Sequence, residues 1–412
     1  HIPSHSFPTR RSSDLGTKTM LYDSNTGIYL KYETLYISQL FQSRINKSLN
    51  VFIVTNENHD EIILLIRDIL TTKMGWFTKK CKNPPFQMAP LVGVNELSDN
   101  AKDCYNTPFS KTIFGASRNV IRLTIYMDGN TDYLYNPLNK IKQTLFCDPK
   151  INITSRININ VLINNLKQIN KLIYLQELNI ICNCLEENNE YKCFIDFICK
   201  SVVIQTKVYI VCDIYNLITN EEMINDLLDT HHNLYLKIIV DSKCKNDSYF
   251  LYLDKLKEKK FFYKSIIFVL VYSESDLCNK STCYNIPIFD GTNKHFFEQN
   301  VFLEESDIKE TFISMQDIFR RQLLNEHYFG NVIIMNEGDV YLNLFEEKIG
   351  NIYEDNDIIS LLSNTKSMNS WYLTRDKVQP CKHCVYKYLC PSISNYEFIL
   401  KKMNLCKNVL SQ

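Results

Sequence analysis

LQELNIICNCLEENNEYKCFIDFICKSVVIQTKVYIVCDIYNLITNEEMINDLLDTHHNLYLKIIVDS occupies residues 175–242. Within it LQELNIIC, TKVYIVCDI and LYLKIIVDS are short runs of apolar and β-branched residues, the pattern of strands covered on both faces. YKCFIDFICKS and NEEMINDLLDTH lie between them with apolar residues at helical spacing. Strand and helix thus alternate at intervals of roughly thirty residues, which is how repeated βα units on a parallel sheet look in sequence.

The rhythm extends outward in both directions. Upstream, VIRLTIYM (120–127) reads as a strand and ININVLINNLKQINKL (157–172) as a helix. Downstream, YFLYLDKLKEKK (249–260) reads as a helix and YKSIIFVLVYS (263–273) as a strand. Some five or six such units predict an α/β fold, a partial (β/α) barrel whose sites lie at the C-terminal ends of its strands. A doubly wound sheet is the alternative. The unit spans 119–325. Beyond it, NVIIMNEGDVYLN (331–343) predicts a hairpin turning at Asn336-Glu337-Gly338-Asp339, IISLLSN begins a helix, and a cysteine-rich tail closes a region spanning 326–412.

The N-terminal side is less regular. His5 to Leu15 read HSFPTRRSSDL, the translation of a common sequencing-library adaptor, so residues 1–15 are set aside as an artefact and the native start is expected to be missing. Residues 16–80 predict a small α+β module: LYDSNTGIYLKY as a hairpin around Asn25-Thr26-Gly27, LYISQLFQSRI as a helix, LNVFIVTN as a strand, and an amphipathic helix from Asp60 to Gly75. It is winged-helix-like in size, or equally an extension of the main domain. Residues 81–118 predict a linker or long loop.

Composition narrows the function. Lys+Arg and Asp+Glu are both 46 among 412 residues, a balance that offers nothing to a nucleic acid or an anionic membrane surface. No apolar run is long enough to span a bilayer. Fifteen cysteines, an odd number, are scattered through a long chain, and Cys182, Cys193, Cys199 and Cys212 sit on apolar segments as small hydrophobes. That usage predicts a reducing, cytoplasmic compartment rather than a disulfide scaffold.

The tail, PCKHCVYKYLCPSISNYEFILKKMNLCKN (380–408), carries the chemistry. Cys381-x2-Cys384 puts two thiolates on one turn, Cys390 follows and Cys406 returns from a short helix. Four thiolates suit one 4Fe–4S cluster or, alternatively, one zinc. His383 lies inside the turn and is read as exposed or as a hydrogen-bonding neighbour, with ligation as the alternative. Elsewhere, His231-His232 are read as helix-end residues. Asp128, Asp213 and Asp241, at strand ends, are read first as helix caps and second as barrel-site carboxylates. The ten glycines include no Gly-x-Gly, so the usual phosphate loops are missing. No catalytic residue is assigned.

C-x2-C-x5-C is the core spacing of the SPASM domain appended to radical-SAM peptide maturases. SNYE, NLC, GDVYLN, KIGNIYED and NSWYLTR, with LYDSNTG and PPFQMAPL further upstream, resemble the pseudo-radical-SAM proteins of GG-Bacteroidales-type ribosomal peptide systems and the related grasp-with-spasm maturases. The resemblance runs from about Leu21 to Cys406. It implies a barrel of radical-SAM type with a SPASM-like cysteine-rich domain. It also implies a precursor peptide, and a radical-SAM or ATP-grasp maturase of the same system, as partners.

Two departures separate this chain from the catalytic family. Where that family places C-x3-C-x2-C, the stretch LTIYMDGNTDYLYNPLNKIKQTLFC holds only Cys147, and the Gly-Gly-Glu motif has no counterpart because no glycine stands between Gly129 and Gly291. No S-adenosylmethionine use is therefore expected. The SPASM pattern is itself reduced: Asn343 stands at the family's Gly-x4-Cys position after Gly338, and Ser394 replaces a further cysteine after Cys390. The expected role is a non-radical accessory protein that binds a precursor peptide or a true maturase. The alternative is an iron–sulfur enzyme using the tail cluster for redox or Lewis-acid chemistry.

Overall fold

The computed structural model describes residues 2–3, 6–8, 19–23, 26–33, 37, 51–52, 60–74, 120–127, 158–182, 189–243, 256, 258–278, 283–354, 357–364, 369–400 and 402–407. Near the start, β1 (Ile2–Pro3) and β2 (Ser6–Pro8) fall within residues 1–15, β2 inside the adaptor-like stretch itself. β3 (Thr19–Asp23) and β4 (Tyr29–Tyr32) form the expected antiparallel hairpin, and β2 pairs with the other edge of β3. Such pairing uses backbone groups, so an open edge accepts almost any extended segment. Gly27 closes the turn at φ +74°, donating its N–H to the Asp23 carbonyl at 2.8 Å. After β5 (Val51–Phe52), α1 (Asp60–Thr71) buries Ile62 and packs Leu65 and Ile69 in a small core with Leu21 and Ile37. The helix expected at LYISQLFQSRI, apart from Ile37, and the linker at 81–118 lie outside the described residues.

The central region follows the predicted alternation. In chain order it comprises β6 (Arg122–Tyr126), α2 (Ile159–Asn165), β7 (Glu177–Ile181), α3 (Asn189–Ser201), β8 (Lys207–Asp213), α4 (Ile214–Thr219), α5 (Glu221–Thr230), β9 (Leu234–Asp241), β10 (Ser265–Val271) and β11 (Cys283–Pro287). α2 starts where the Asn158 side chain accepts the Val161 N–H at 3.2 Å, an N-cap that satisfies a free first-turn donor. β6 to β11 lie side by side in chain order, and every neighbouring pair is parallel. From β6 to β11 that order does not reverse; the reversal comes at β6, where a later strand, β12 (Asn331–Ile334), joins its other side in parallel, as in the doubly wound alternative.

Side-chain alternation divides the sheet into two faces. Leu123, Leu178, Ile210, Ile238 and Val269 pack in one large core with Leu162, Phe194, Ile198 and Leu227 of the helices. Tyr126, Ile181, Val211, Ile239 and Leu270 point the other way and meet Phe345 and Tyr396 from the C-terminal region. One face is therefore covered by helices and the other by the tail. Burial on both faces explains why the strands read as unbroken apolar runs.

α6 (Lys294–Val301), α7 (Glu305–Glu310) and α8 (Met315–Leu323) carry the chain back across the molecule. β12 (Asn331–Ile334) then joins the far edge of β6 in parallel, and β13 (Asp339–Tyr341) and β14 (Gly350–Asn351) add antiparallel strands. The result is one nine-stranded, mostly parallel sheet in the order β11-β10-β9-β8-β7-β6-β12-β13-β14. The predicted hairpin is thus present and continues the main sheet across position 325. α9 (Ile358–Asn364) and α10 (Asn395–Ile399) complete the chain.

Gly338 makes the hairpin turn at φ +84°. A Cβ there would stand 2.5 Å from the Tyr353 ring and 2.9 Å from Asn351 Oδ1. Conformation and space both exclude a side chain. Gly338→Ala is expected to cost roughly 1–3 kcal/mol of folding stability, read from the urea midpoint; an unchanged midpoint would contradict this account of the turn.

Candidate functional site

Tight turns rather than long elements position the tail. Short 3-10 turns at Ser370–Tyr372, Arg375–Lys377 and Cys381–His383 precede α10. The Cys384 N–H donates to the Cys381 carbonyl at 2.9 Å, closing the C-x2-C turn, and the Cys390 N–H donates to the Tyr386 carbonyl at 2.9 Å. Cys406 is brought back by a parallel bridge to Leu303, in which Leu303 N–H meets the Leu405 carbonyl at 2.8 Å.

Cys381, Cys384, Cys390 and Cys406 share one neighbourhood. All four titrate above the ordinary thiol range, chiefly because they are buried, with Cys406 pushed up to about 11. Mutual charge adds to this. Cys381 acts on Cys384; Cys384, Cys406 and Cys381 act on Cys390; Cys381 and Cys384 act on Cys406. Every pair among the four is therefore within electrostatic reach. As the side chains stand, no group of three or more His, Cys, Asp or Glu among the described residues is arranged to hold a metal ion. The fit to a thiolate-bound metal is one of donor type and convergence, and ligation would require the thiols to turn toward a common centre.

One cation serves the whole cluster. Arg375 is buried, with Nη1 2.8 Å from Glu397 Oε1 and 3.5 Å from Cys381 Sγ, and its Nε donates to the Pro391 carbonyl. Its positive charge favours the thiolate at each of the four cysteines. Glu397 is 0% exposed. Burial pushes its carboxyl up, and Arg375 and the Ser394 N–H, which donates at 2.7 Å, pull it back. Ser394 and Glu397 form the capping box of α10, so the pair joins the Cys381 turn, the Pro391 backbone and α10 at one buried point.

The other expected residues are placed as follows. His383 is exposed, its Nε2 3.1 Å from Gln379 Nε2, on the outside of the turn. Asp213 caps α4, accepting the Asn216 N–H at 2.7 Å, and Asp241 accepts the Lys243 N–H at 2.9 Å. Asp128 and Cys147 lie outside the described residues. His231 ends α5 and lies 3.1 Å from Asp196. Cys182, Cys199 and Cys212 are buried, the Cys199 thiol pushed up to about 12 mainly by burial, but Cys193 is exposed on α3 because it falls on the solvent side of that helix.

Compared with models of known protein families, the chain matches none. No curated protein matches it either.

Two further groupings were not legible in sequence. On the tail-covered face of the sheet, Glu177 Oε1 accepts from Lys237 Nζ at 2.8 Å, Arg122 Nε at 2.9 Å and Asn179 Nδ2 at 2.9 Å. Lys237 also lies 4.3 Å from the centre of the Tyr209 ring. Burial works against the Glu177 charge, but Lys237 and Arg122 hold the carboxyl below its usual range. Second, Asn343 and Ser394 line one cavity although far apart in sequence. The S-x-x-E spacing of Ser394 and Glu397 is a capping-box signature, a signal that could have marked Glu397 as structural.

Breaking a buried pair leaves one charge unmatched. Arg375→Met and Glu397→Gln are each expected to cost about 3–5 kcal/mol, with the double variant less destabilised than the sum of the two. Urea titrations of the three variants check this; additive losses would show that the two side chains act separately.

Proposed function

We propose that this protein is a non-radical accessory component of ribosomally synthesised peptide maturation, of the pseudo-radical-SAM type, with one metal site in a SPASM-like C-terminal region. Cys381, Cys384, Cys390 and Cys406 would hold a 4Fe–4S cluster or, alternatively, a zinc ion. Bound there, the metal would cross-link turns that have little regular structure of their own. The convergence of these four cysteines, drawn from a stretch of turns and from a returning strand bridge, is the observation that carries the reading.

Three further features support it. Six parallel strands run in chain order with helices packed on one face, as in a (β/α) barrel. Asn343 and Ser394 meet at one cavity, as two positions of a common SPASM pattern would. No three-cysteine motif of radical-SAM spacing stands anywhere in the chain, which argues against cleavage of S-adenosylmethionine. The partners under this reading are a precursor peptide and a radical-SAM or ATP-grasp maturase, acting in the cytoplasm. No helix among the described residues is long and apolar enough to cross a membrane.

Metal analysis of protein purified without oxygen tests the reading. About four iron and four sulfide per chain, or about one zinc, is expected, and Cys390→Ser should lose the metal. Protein that holds no stoichiometric metal would overturn the site. About eight iron per chain would mean a second cluster and would remove the case for a non-radical role.

A further inference from the structure

The turns that lead into β7 and β8 stand side by side at the N-terminal end of the sheet. The Leu175 N–H donates to the Leu172 carbonyl at 3.0 Å, and the Thr206 N–H donates to the Val203 carbonyl at 2.8 Å. The Thr206 hydroxyl donates to the Leu175 carbonyl at 2.7 Å and the Lys207 N–H to the Gln176 carbonyl at 2.9 Å, which fastens one turn to the other.

The tips of these turns carry residues that turn chemistry does not explain. Gly, Pro, Asn, Asp and Ser favour such positions because they suit the backbone or bond to it. Here the tips are Ile173-Tyr174 and Ile204-Gln205. Ile173 is 51% exposed, Tyr174 58% and Ile204 94%, and Tyr263, before β10 at the same end, is 70% exposed. Single apolar residues on a surface are ordinary. Three of them on two joined turns form a patch of the kind that meets a partner.

Charge names that partner. Lys167, Lys171 and Lys207 are exposed beside these tips, and segments 166–176 and 202–207 contain no Asp or Glu. Among the described residues, the Lys171 ammonium meets the neutral Gln168 Oε1 at 2.6 Å, and that of Lys207 lies 5.7 Å from the centre of the Tyr235 ring. Acids close by are engaged elsewhere. Asp196 is held by Lys200 at 2.7 Å and His231 at 3.1 Å, and Glu177 by Lys237 at 2.8 Å and Arg122 at 2.9 Å. Asp229 and Glu258 are exposed, but they adjoin the turns before β9 and β10. The even charge of the whole chain is a sum, and the fold sets a group of lysines without acids around these two tips.

We propose that the two turns attach the protein to a bilayer containing anionic phospholipid, with Ile173, Tyr174 and Ile204 entering the headgroup layer and Lys167, Lys171 and Lys207 against the lipid phosphates. A headgroup layer accepts apolar side chains from small projecting tips without a shaped pocket. Tyrosine favours the boundary between water and lipid, where its ring is apolar and its hydroxyl wet. Lysine keeps its ammonium at the headgroups while its stem lies along apolar surface. Three lysines and three short apolar insertions give a reversible attachment. This surface is independent of the cysteine cluster and of any role in peptide maturation.

Co-sedimentation of the full chain with vesicles tests it, using phosphatidylcholine alone and phosphatidylcholine with about 30% phosphatidylserine. Partition onto the anionic vesicles is expected to be roughly tenfold or more stronger than onto the neutral ones, and to fall severalfold at about 0.5 M salt. Ile204→Ser should weaken it roughly fivefold or more, and Lys207→Gln about fivefold. Both residues are exposed, so neither change threatens the fold. Ile63→Ser, as exposed as Ile173 but on α1, should leave the partition unchanged. Equal partition onto neutral and anionic vesicles, binding to neither, an equal loss from Ile63→Ser, or undiminished binding by Ile204→Ser and Lys207→Gln would overturn the proposal.

Discussion

The buried contact between Arg375 and Glu397 holds the C-terminal region in its arrangement. Neither group would be stable there alone, since an unpaired charge in so dry a position carries a desolvation cost of several kcal/mol. Together they satisfy each other and reach outward, Arg375 to the Cys381 sulfur and the Pro391 backbone, Glu397 to the N-terminus of α10. Pairs of this kind add little net stability compared with apolar packing. What this one adds is direction: Arg375 makes two of its contacts, to Glu397 and Pro391, through strong hydrogen bonds of fixed geometry. The turn carrying Cys381, the turn that ends at Cys390 and Pro391 and the capping box of α10 therefore have one mutual arrangement. The positive charge also lies within electrostatic reach of all four tail thiols and favours their ionisation.

The second organising constraint is the sheet's two faces. Helices pack on one face because parallel strands need crossovers, and crossovers of one hand put successive helices on the same side when strands run in order. That leaves the opposite face to be covered by something other than the repeating helices. The tail does so, with Phe345 and Tyr396 against Tyr126, Ile181 and Val211. The cover is incomplete near β6 and β12, and the polar residues Arg122, Thr124 and Asn331 remain in the cavity wall. Asn325 adds a further tie, its buried amide donating to the Leu373 carbonyl at 3.0 Å and the Ile393 carbonyl at 2.9 Å. Sheet and tail are thereby joined through backbone groups of the segments that carry Arg375 and α10.

Legibility in sequence differs sharply between these parts. β7, β8 and β9 were plain because ELNII, KVYIVCD and LYLKIIVD are apolar for consecutive residues, and burial on both faces demands that pattern whatever the partner strands are. α3 and α5 were plain because one apolar stripe must face the sheet. The hairpin at Gly338 was plain because a residue at φ +84° needs glycine. β11 was not read, since CYNIP carries Asn and Pro and is not fully buried. The pairing of β12 with β6 was also beyond reach, because strand pairing is made by backbone atoms that every residue shares.

The C-x2-C pair of the tail was placed on one turn from its spacing, and local chain geometry explains why. C-x2-C fits one turn, and its thiols cannot be far apart. What spacing could not supply was the company they keep. Arg375, Glu397 and Lys237 are ordinary surface residue types that are buried here, and apart from the capping-box spacing at Glu397 nothing in their sequence neighbours marks them. Only chain folding over long separations sets Lys237 against Glu177 or brings Asn343 and Ser394 to one cavity. The sequence by itself determined the elements, through periodicity and local turn chemistry that act over a few residues. The tertiary structure alone decided which charges are paired and where a cavity remains, because those depend on residues far apart in the chain meeting where water is excluded.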